Sequence, residues 1–433
     1  MVDADRCYKT VETLCSFGTR HTLSPDAEGR GNAAARAWIK GELEKAAGGL
    51  LTVSVEEFKA PRTQRLPDGA SVYNVVAVLP GTMKEAASRR YYVVGHYDTI
   101  NADKMDPKGD APGANDDASG VAVMLECARV LGAKRLDATV VFLAAGGEEQ
   151  GLVGARFHAK AAGERGERVM GVLNNDIVGD PSPTVWTSHK NSAMKHRERD
   201  LEIAGRITPM IRVFSEGVPK GLSEADRERY RLEGAESDSP SRQLARFIPL
   251  VAEQEQTRLR PILVFRQDRF LRGGDHSAFN ESGFPAVRFT VPGEDYTRQH
   301  ANVTEKDGKP YGDVPSFVDG KYIAAVAELN AATLMHLANA PSPPPRARID
   351  AKELSTDTVL KWDASPEPDV AGYEVLIRDT TESDWREVVR VGNVTEFRTP
   401  VSKDNVFFAV RAYDKDGWMS PAAFCWAERA EAK

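Results

Sequence analysis

The sequence predicts an α/β domain with a mostly parallel central sheet flanked by helices, followed by a smaller all-β sandwich. Three observations carry that prediction. Short, continuous apolar runs recur along the first part of the chain, as strands buried on both faces should. Helical segments separate several of them, and strand–helix alternation places neighbouring strands parallel. After the proline-rich stretch APSPPP, residues 340–345, the pattern changes to short runs of alternating apolar and polar residues.

The strand runs fall at 74–79, 91–95, 139–145, 169–173, 262–265 and 286–289. The clearest helix spans 120–131, with Val121, Met124, Leu125, Ala128 and Leu131 on one face and Ser119 as its expected N-cap. Residues 181–261 are polar, rich in Arg and Glu and poor in strand signals. They read as a partly helical insertion on one rim of the first domain. Within it, SDSPSRQLAR (237–246) starts a helix, with Ser239 as N-cap and Pro240 at the first helical position. The prolines divide the chain into a domain over 1–340 and a second over 344–433, each expected to have its own core.

The 433 residues suffice for two or three domains. With 57 basic against 64 acidic residues the formal charge is −7, which argues against nucleic acid as a partner. No apolar stretch is long enough to span a bilayer, and the first residues, MVDADRCYKT, lack the apolar core of an export signal. The four cysteines, Cys7, Cys15, Cys127 and Cys425, fit no zinc-ribbon or CxxC spacing. Cys7 and Cys15 would pair only if no continuous helix joins them, since eight helical residues span about 12 Å. Cys127 falls on the 120–131 helix and reads as a small buried hydrophobe.

Acidic and His residues gather at or just beyond the strand runs. YYVVGHYDT carries His96 and Asp98, PGANDDASG carries Asp116 and Asp117, and AAGGEEQG carries Glu148 and Glu149. VLNNDIVGD carries Asp176, and RGGDHSAF carries Asp275 and His276. Singly, an Asp before a helix is usually a cap and a His after a strand is usually a hydrogen-bonded surface residue. Together, imidazoles and carboxylates converging on the carboxyl edge of a sheet form a nitrogen–oxygen ligand set suited to zinc or a similar divalent ion. Two such ions need a carboxylate between them to screen their repulsion. His158, His189, His196 and His336 lack ligand spacing and read as structural or surface residues.

The order and spacing of GHYD, PGANDDASGVA, GGEEQGLVGA, LNNDIVGD and GGDHSAFNESGFPAV resemble the co-catalytic dizinc exopeptidases. These include bacterial secreted leucyl-type aminopeptidases and glutamate-carboxypeptidase-like relatives. The resemblance runs from FGTRHT (17–22) to RQHANVTE (298–305). It implies two zinc ions bridged by Asp116, with His96 and Asp176 completing one and Glu149 and His276 the other. It implies Glu148 as general base and Asp98 as the group orienting His96 through its second ring nitrogen. Tyr296 and His300 become candidates for contact with the substrate and for an extra oxyanion donor. Arg20 and His21 would fix a loop near the cleft. The family's peptide bond between the residues matching Asp116 and Asp117 is cis, and the same is expected here. Residues 344–433, with Trp362, Tyr373, Phe408, Val410 and Ala412, resemble a fibronectin type III domain, although Val406 stands where that family commonly has Tyr.

The leading functional expectation is therefore a dizinc aminopeptidase acting on peptides with a free N-terminus. A carboxypeptidase on the same scaffold would need a cationic clamp, for which Arg266, Arg269 and Arg272 are candidates. A single-zinc glutaminyl cyclase shares most of the ligand set. A ligand-free scaffold role conflicts with the presence of all five ligands and the base. The resemblance also implies an exported enzyme, whose C-terminal module binds a surface or the catalytic domain itself.

Overall fold

The structure is a computed structural model, and it describes residues 1–25, 27–46, 49–181 and 209–428. Its centre is one eight-stranded sheet. In chain order the strands are β1 (Thr52–Ala60), β2 (Ala70–Leu79), β3 (Arg89–His96), β4 (Thr139–Ala145), β5 (Arg168–Asn175), β6 (Met210–Ser215), β7 (Arg260–Val264) and β8 (Ala286–Thr290). They lie in the order β1-β2-β4-β3-β5-β8-β6-β7. The four central strands, β4, β3, β5 and β8, run parallel. The flanks do not: β2 is antiparallel to both β1 and β4, and β6 is antiparallel to β8. The sheet is therefore mixed rather than mostly parallel. The short connection between β1 and β2 closes a hairpin, which only antiparallel neighbours permit.

The expected rim insertion is corrected by β6. Residues 210–215 enter the sheet itself, between β8 and β7. The run MIRVFS buries Ile211 and Val213 while Arg212 between them reaches Glu294, and this one charged interruption hides the strand in a polar neighbourhood. The helix Pro240–Gln254 starts as the sequence predicts: the Ser239 hydroxyl accepts from Arg242 N. Leu244, Ile248 and Val251 then enter the main core with Val287 and Phe289 of β8. Residues 182–208, with His189 and His196, lie outside the described residues.

The helix Ser119–Leu131 packs Val121, Met124, Leu125 and Ala128 into that core. Ser119 is its first residue and not its cap. The capping acceptor is Asp117, whose Oδ1 takes Gly120 N at 2.9 Å. The helix Ala4–Ser16 is continuous through Cys7 and Cys15, so the two thiols stay unpaired. Cys127 is fully buried. No described helix is long and apolar enough to cross a membrane.

Beyond the prolines stand two four-stranded sheets. Leu360 and Trp362 on one side, and Tyr373, Val375, Phe408 and Val410 on the other, share a separate core. This region docks on the first. Phe424, Trp426, Phe407 and Trp385 pack against Tyr230 and Ala235 in a third cluster. Beneath it, the buried Asp238 carboxylate pairs with Arg246 at 3.1 Å and with Arg378 of the C-terminal region.

Candidate metal centre

The parallel strands β3, β4 and β5 all end on the same edge of the sheet. His96 is the last residue of β3, Asp176 follows β5, and two glycines after β4 lead to Glu148 and Glu149. Asp116 and Asp117 lie in the turn before the Ser119 helix, and the bond between them is cis. Close approach makes the convergence tight: a Cβ on Gly120 would stand 2.2 Å from the Asn175 carbonyl. Only glycine lets the helix start against the end of β5.

Two triads result. One ligand atom each of His96, Asp116 and Asp176 lie within 4.8 Å of one another, and the same holds for Asp116, Glu149 and His300. Asp116 belongs to both. Its Oδ1 is 3.0 Å from His96 Nε2, and its Oδ2 is 3.0 Å from His300 Nε2. His300 Nε2 is also 2.7 Å from Glu149 Oε1. Gln299 Nε2 donates to Asp116 Oδ2 at 2.7 Å.

The structure thus places His300, not His276, in the second triad. His276 is the second residue of the short helix Asp275–Glu281, where its Nε2 faces the Gln267 carbonyl at 3.0 Å, and it belongs to neither triad. Burial presses its pKa down to about 4, so the ring is neutral. Asp275 beside it is buried with neither oxygen hydrogen-bonded. Tyr296 is 65% exposed on the wall of an adjoining cavity, and among the described residues no hydrogen bond links it to the triads.

A second layer of carboxylates holds the loops. Asp98 accepts from the backbone N–H of Glu148 at 3.0 Å and of Glu149 at 3.1 Å. It meets His96 Nδ1 through its backbone carbonyl at 3.1 Å, its carboxylate standing 3.7 Å away. The carboxylate therefore fixes the glutamate turn, and the carbonyl orients the ring. Asp117 accepts from His96 N, Gly120 N and Ile177 N, joining three chain segments. Asp313, which the sequence does not single out, accepts from Asn115 N at 2.8 Å and Asp116 N at 2.7 Å. Arg288, fully buried, pairs with Asp176 at 2.7 Å and Asp268 at 3.2 Å. Arg20 donates to the carbonyls of Tyr97, Leu14, Pro112 and Gly113, and so holds the N-terminal loop.

The electrostatics are those of an anion-rich pocket. Burial alone would lower the His300 pKa, but Glu149 and Asp116 raise it to about 10. His96 is raised well above its usual value, with burial opposing and Glu148 and Asp116 prevailing. Burial, joined by repulsion from Glu149, raises Glu148 well above the ordinary carboxylate range. No hydrogen bond from the described residues reaches the half-buried Glu148 carboxylate. His158 and His336 are structural: His158 Nδ1 meets Glu56 at 2.7 Å, and His336 packs edge-on against Trp418.

Comparison with known proteins adds to this geometry. The model of peptidase family M28 matches residues 74–309. A probable zinc metalloprotease of Leptosphaeria maculans is 41% identical over 427 residues, covering 98% of this chain and 94% of that protein. A probable zinc metalloprotease of Pyricularia oryzae is 42% identical over 431 residues, covering 97% and 82%. Among solved structures, BSAP, a zinc aminopeptidase from Bacillus subtilis, is 15% identical with a TM-score of 0.51, covering 77% of this chain and 95% of that one. That likeness is one of fold.

Proposed function

The chain belongs to peptidase family M28 and is a zinc-dependent peptidase, and on that premise we propose that it is an aminopeptidase using two zinc ions. The observation that carries the proposal is Asp116, shared by two donor triads. The donors fit: both triads offer imidazole nitrogen and carboxylate oxygen, the ligand chemistry of zinc. His96 Nε2 is buried and faces Asp116 Oδ1 at 3.0 Å without hydrogen-bond geometry, as two ligands of one ion would. His96, Asp116 and Asp176 would hold one ion, and Asp116, Glu149 and His300 the other. When bound, zinc supplies Lewis acidity for a peptide carbonyl and for the attacking water.

The remaining work falls to side chains of this protein. No hydrogen bond from the described residues reaches the Glu148 carboxylate, and its raised pKa suits it to take the proton of the attacking water and return it to the leaving amine. Asp98 sets its position by holding the Glu148 and Glu149 amides. The rim around Asp116 includes Asp180, Glu294, Asp295 and Asp313, of which Asp180 and Asp295 pair with Arg298 and Glu294 pairs with Arg212 and Arg269. The C-terminal sheets are read, by sequence resemblance, as a fibronectin type III module, and export of the enzyme is inferred on the same ground.

Fluorogenic aminoacyl substrates and blocked peptides, assayed with and without chelator, test the reading. Chelator-sensitive release from free N-termini is expected. Trimming from the C-terminus alone would overturn the aminopeptidase reading, and full activity with one zinc per chain would overturn the dizinc one.

A further inference from the structure

Beside the triads lies a second cavity of about 500 Å³, between the ends of β6 and β7 and the loop after β8. It meets the rim of Asp116 at Glu294, which lines both depressions. Its walls are partly apolar, and three arginines, Arg212, Arg266 and Arg269, face it against a single carboxylate, Glu294. A volume of several hundred Å³ with apolar walls and few polar groups is the usual form of a ligand pocket.

The charges do not balance within the pocket. Glu294 is already shared: Arg212 reaches it at 2.8 Å, and Arg269 pairs with it and, at 3.1 Å, with Asp268. Asp268 is itself shared with Arg288. Arg266 has no described carboxylate within ion-pair distance. Its guanidinium lies 4.0 Å from the ring centre of Phe270, so stacking gives it a preferred place while its N–H edge stays open to a ligand. Phe270 itself is 77% exposed. Arg272 does not line this cavity.

We propose that this cavity is a substrate subsite for a carboxylate, with Arg266 as the residue that pairs with it and therefore sets specificity. The inference rests on the peptidase reading above. The carboxylate has two sources, the side chain of an acidic residue or the C-terminus of a short peptide. A guanidinium fork recognises either in the same two-point manner.

The test uses the full-length zinc-loaded enzyme. One arm compares kcat/KM for N-terminal Glu and N-terminal Gln substrates, and another compares a dipeptide with its C-terminal amide. A preference of about 10-fold or more for the carboxylate is expected in one arm, in line with a hydrogen bond to a charged group. Arg266→Ala should bring that ratio close to one, and Arg266→Glu should reverse it. No preference in either arm, or a ratio unchanged in Arg266→Ala, overturns the proposal while leaving the peptidase reading intact. Calorimetric titration with glutarate reads the pocket without turnover, so it separates the two failures. Binding to the wild type and its loss in Arg266→Ala supports the subsite even if no peptide is cleaved, and absence of binding to the wild type counts against it.

Discussion

His300 Nε2 lies 3.0 Å from Asp116 Oδ2, which brings a residue from a loop late in the first region onto the carboxylate shared by both triads. This contact concerns two histidines to which the sequence gives different roles, His276 as metal ligand and His300 as substrate contact. His300→Ala should lose one equivalent of bound zinc, measured by metal analysis after gel filtration. His276→Ala should keep both, because its Nε2 meets the Gln267 carbonyl at 3.0 Å and Asp268 at 3.7 Å and lies in neither triad. Zinc lost from the second variant and kept by the first would reverse the assignment.

Glu148→Gln should keep its metal and fail to turn over. The amide fills the same space but cannot take the proton. A fall in kcat of roughly 10²–10⁴-fold is expected from the loss of general acid–base catalysis. A near-normal rate at unchanged zinc content would remove Glu148 from the mechanism.

Asp98→Asn tests how the glutamate turn is held. The carboxylate accepts two backbone N–H groups, whereas an amide offers one oxygen and sets an NH₂ against the other donor. Zinc affinity or activity should fall about 10–100-fold, as when other groups that orient ligands are removed. Competition with a zinc-binding dye would show it, and an unchanged affinity and rate would contradict it.

Glu216 gives the stability a pH dependence. Burial, against the pull of Lys220 and Arg242, raises its pKa to about 7. The raised value means that the folded state holds the proton more tightly than the unfolded chain. Its contribution is therefore full below about pH 4.5 and is lost as the pH rises towards 7. Glu216→Gln should raise stability at pH 8, by on the order of 2–3 kcal/mol at most, and leave it nearly unchanged at pH 4. Urea melts at the two pH values decide this, and equal shifts at both would refute it.

Asp238 joins the two regions through Arg246 and Arg378, all three buried. Removing one partner strands the others. Asp238→Ala should cost about 3–5 kcal/mol, seen as a lower urea midpoint for the whole chain. A loss below 1 kcal/mol would show that water reaches the pair.

The sheet and four of the five triad positions are legible because their signal is local. An apolar run ending in a glycine turn and an acid marks a strand end, and His96, Asp116, Glu149 and Asp176 each lie within a few residues of one. His300 carries no such mark: it sits in a loop outside any strand end, with φ of 51°, while His276 stands beside an acid in a glycine-rich turn and draws attention. Asp313 and Arg288 act through partners distant in sequence, 198 residues in the case of Asp313 and Asn115, and pattern reading has no access to such pairs. Strand β6 was missed because the charges around it outweigh Ile211 and Val213.

The Asp117 carboxylate holds the end of β3, the start of the Ser119 helix and the residue after Asp176 at a single point. A backbone shift in any one of these segments would be felt by the other two, so the ligand frame tolerates change only when its members change together. The cavity holding Arg266 is tied to this frame: the loop after β8 that gives it Glu294 and Tyr296 also carries Gln299 and His300 onto Asp116. A change made in that loop therefore reaches the triads as well as the cavity.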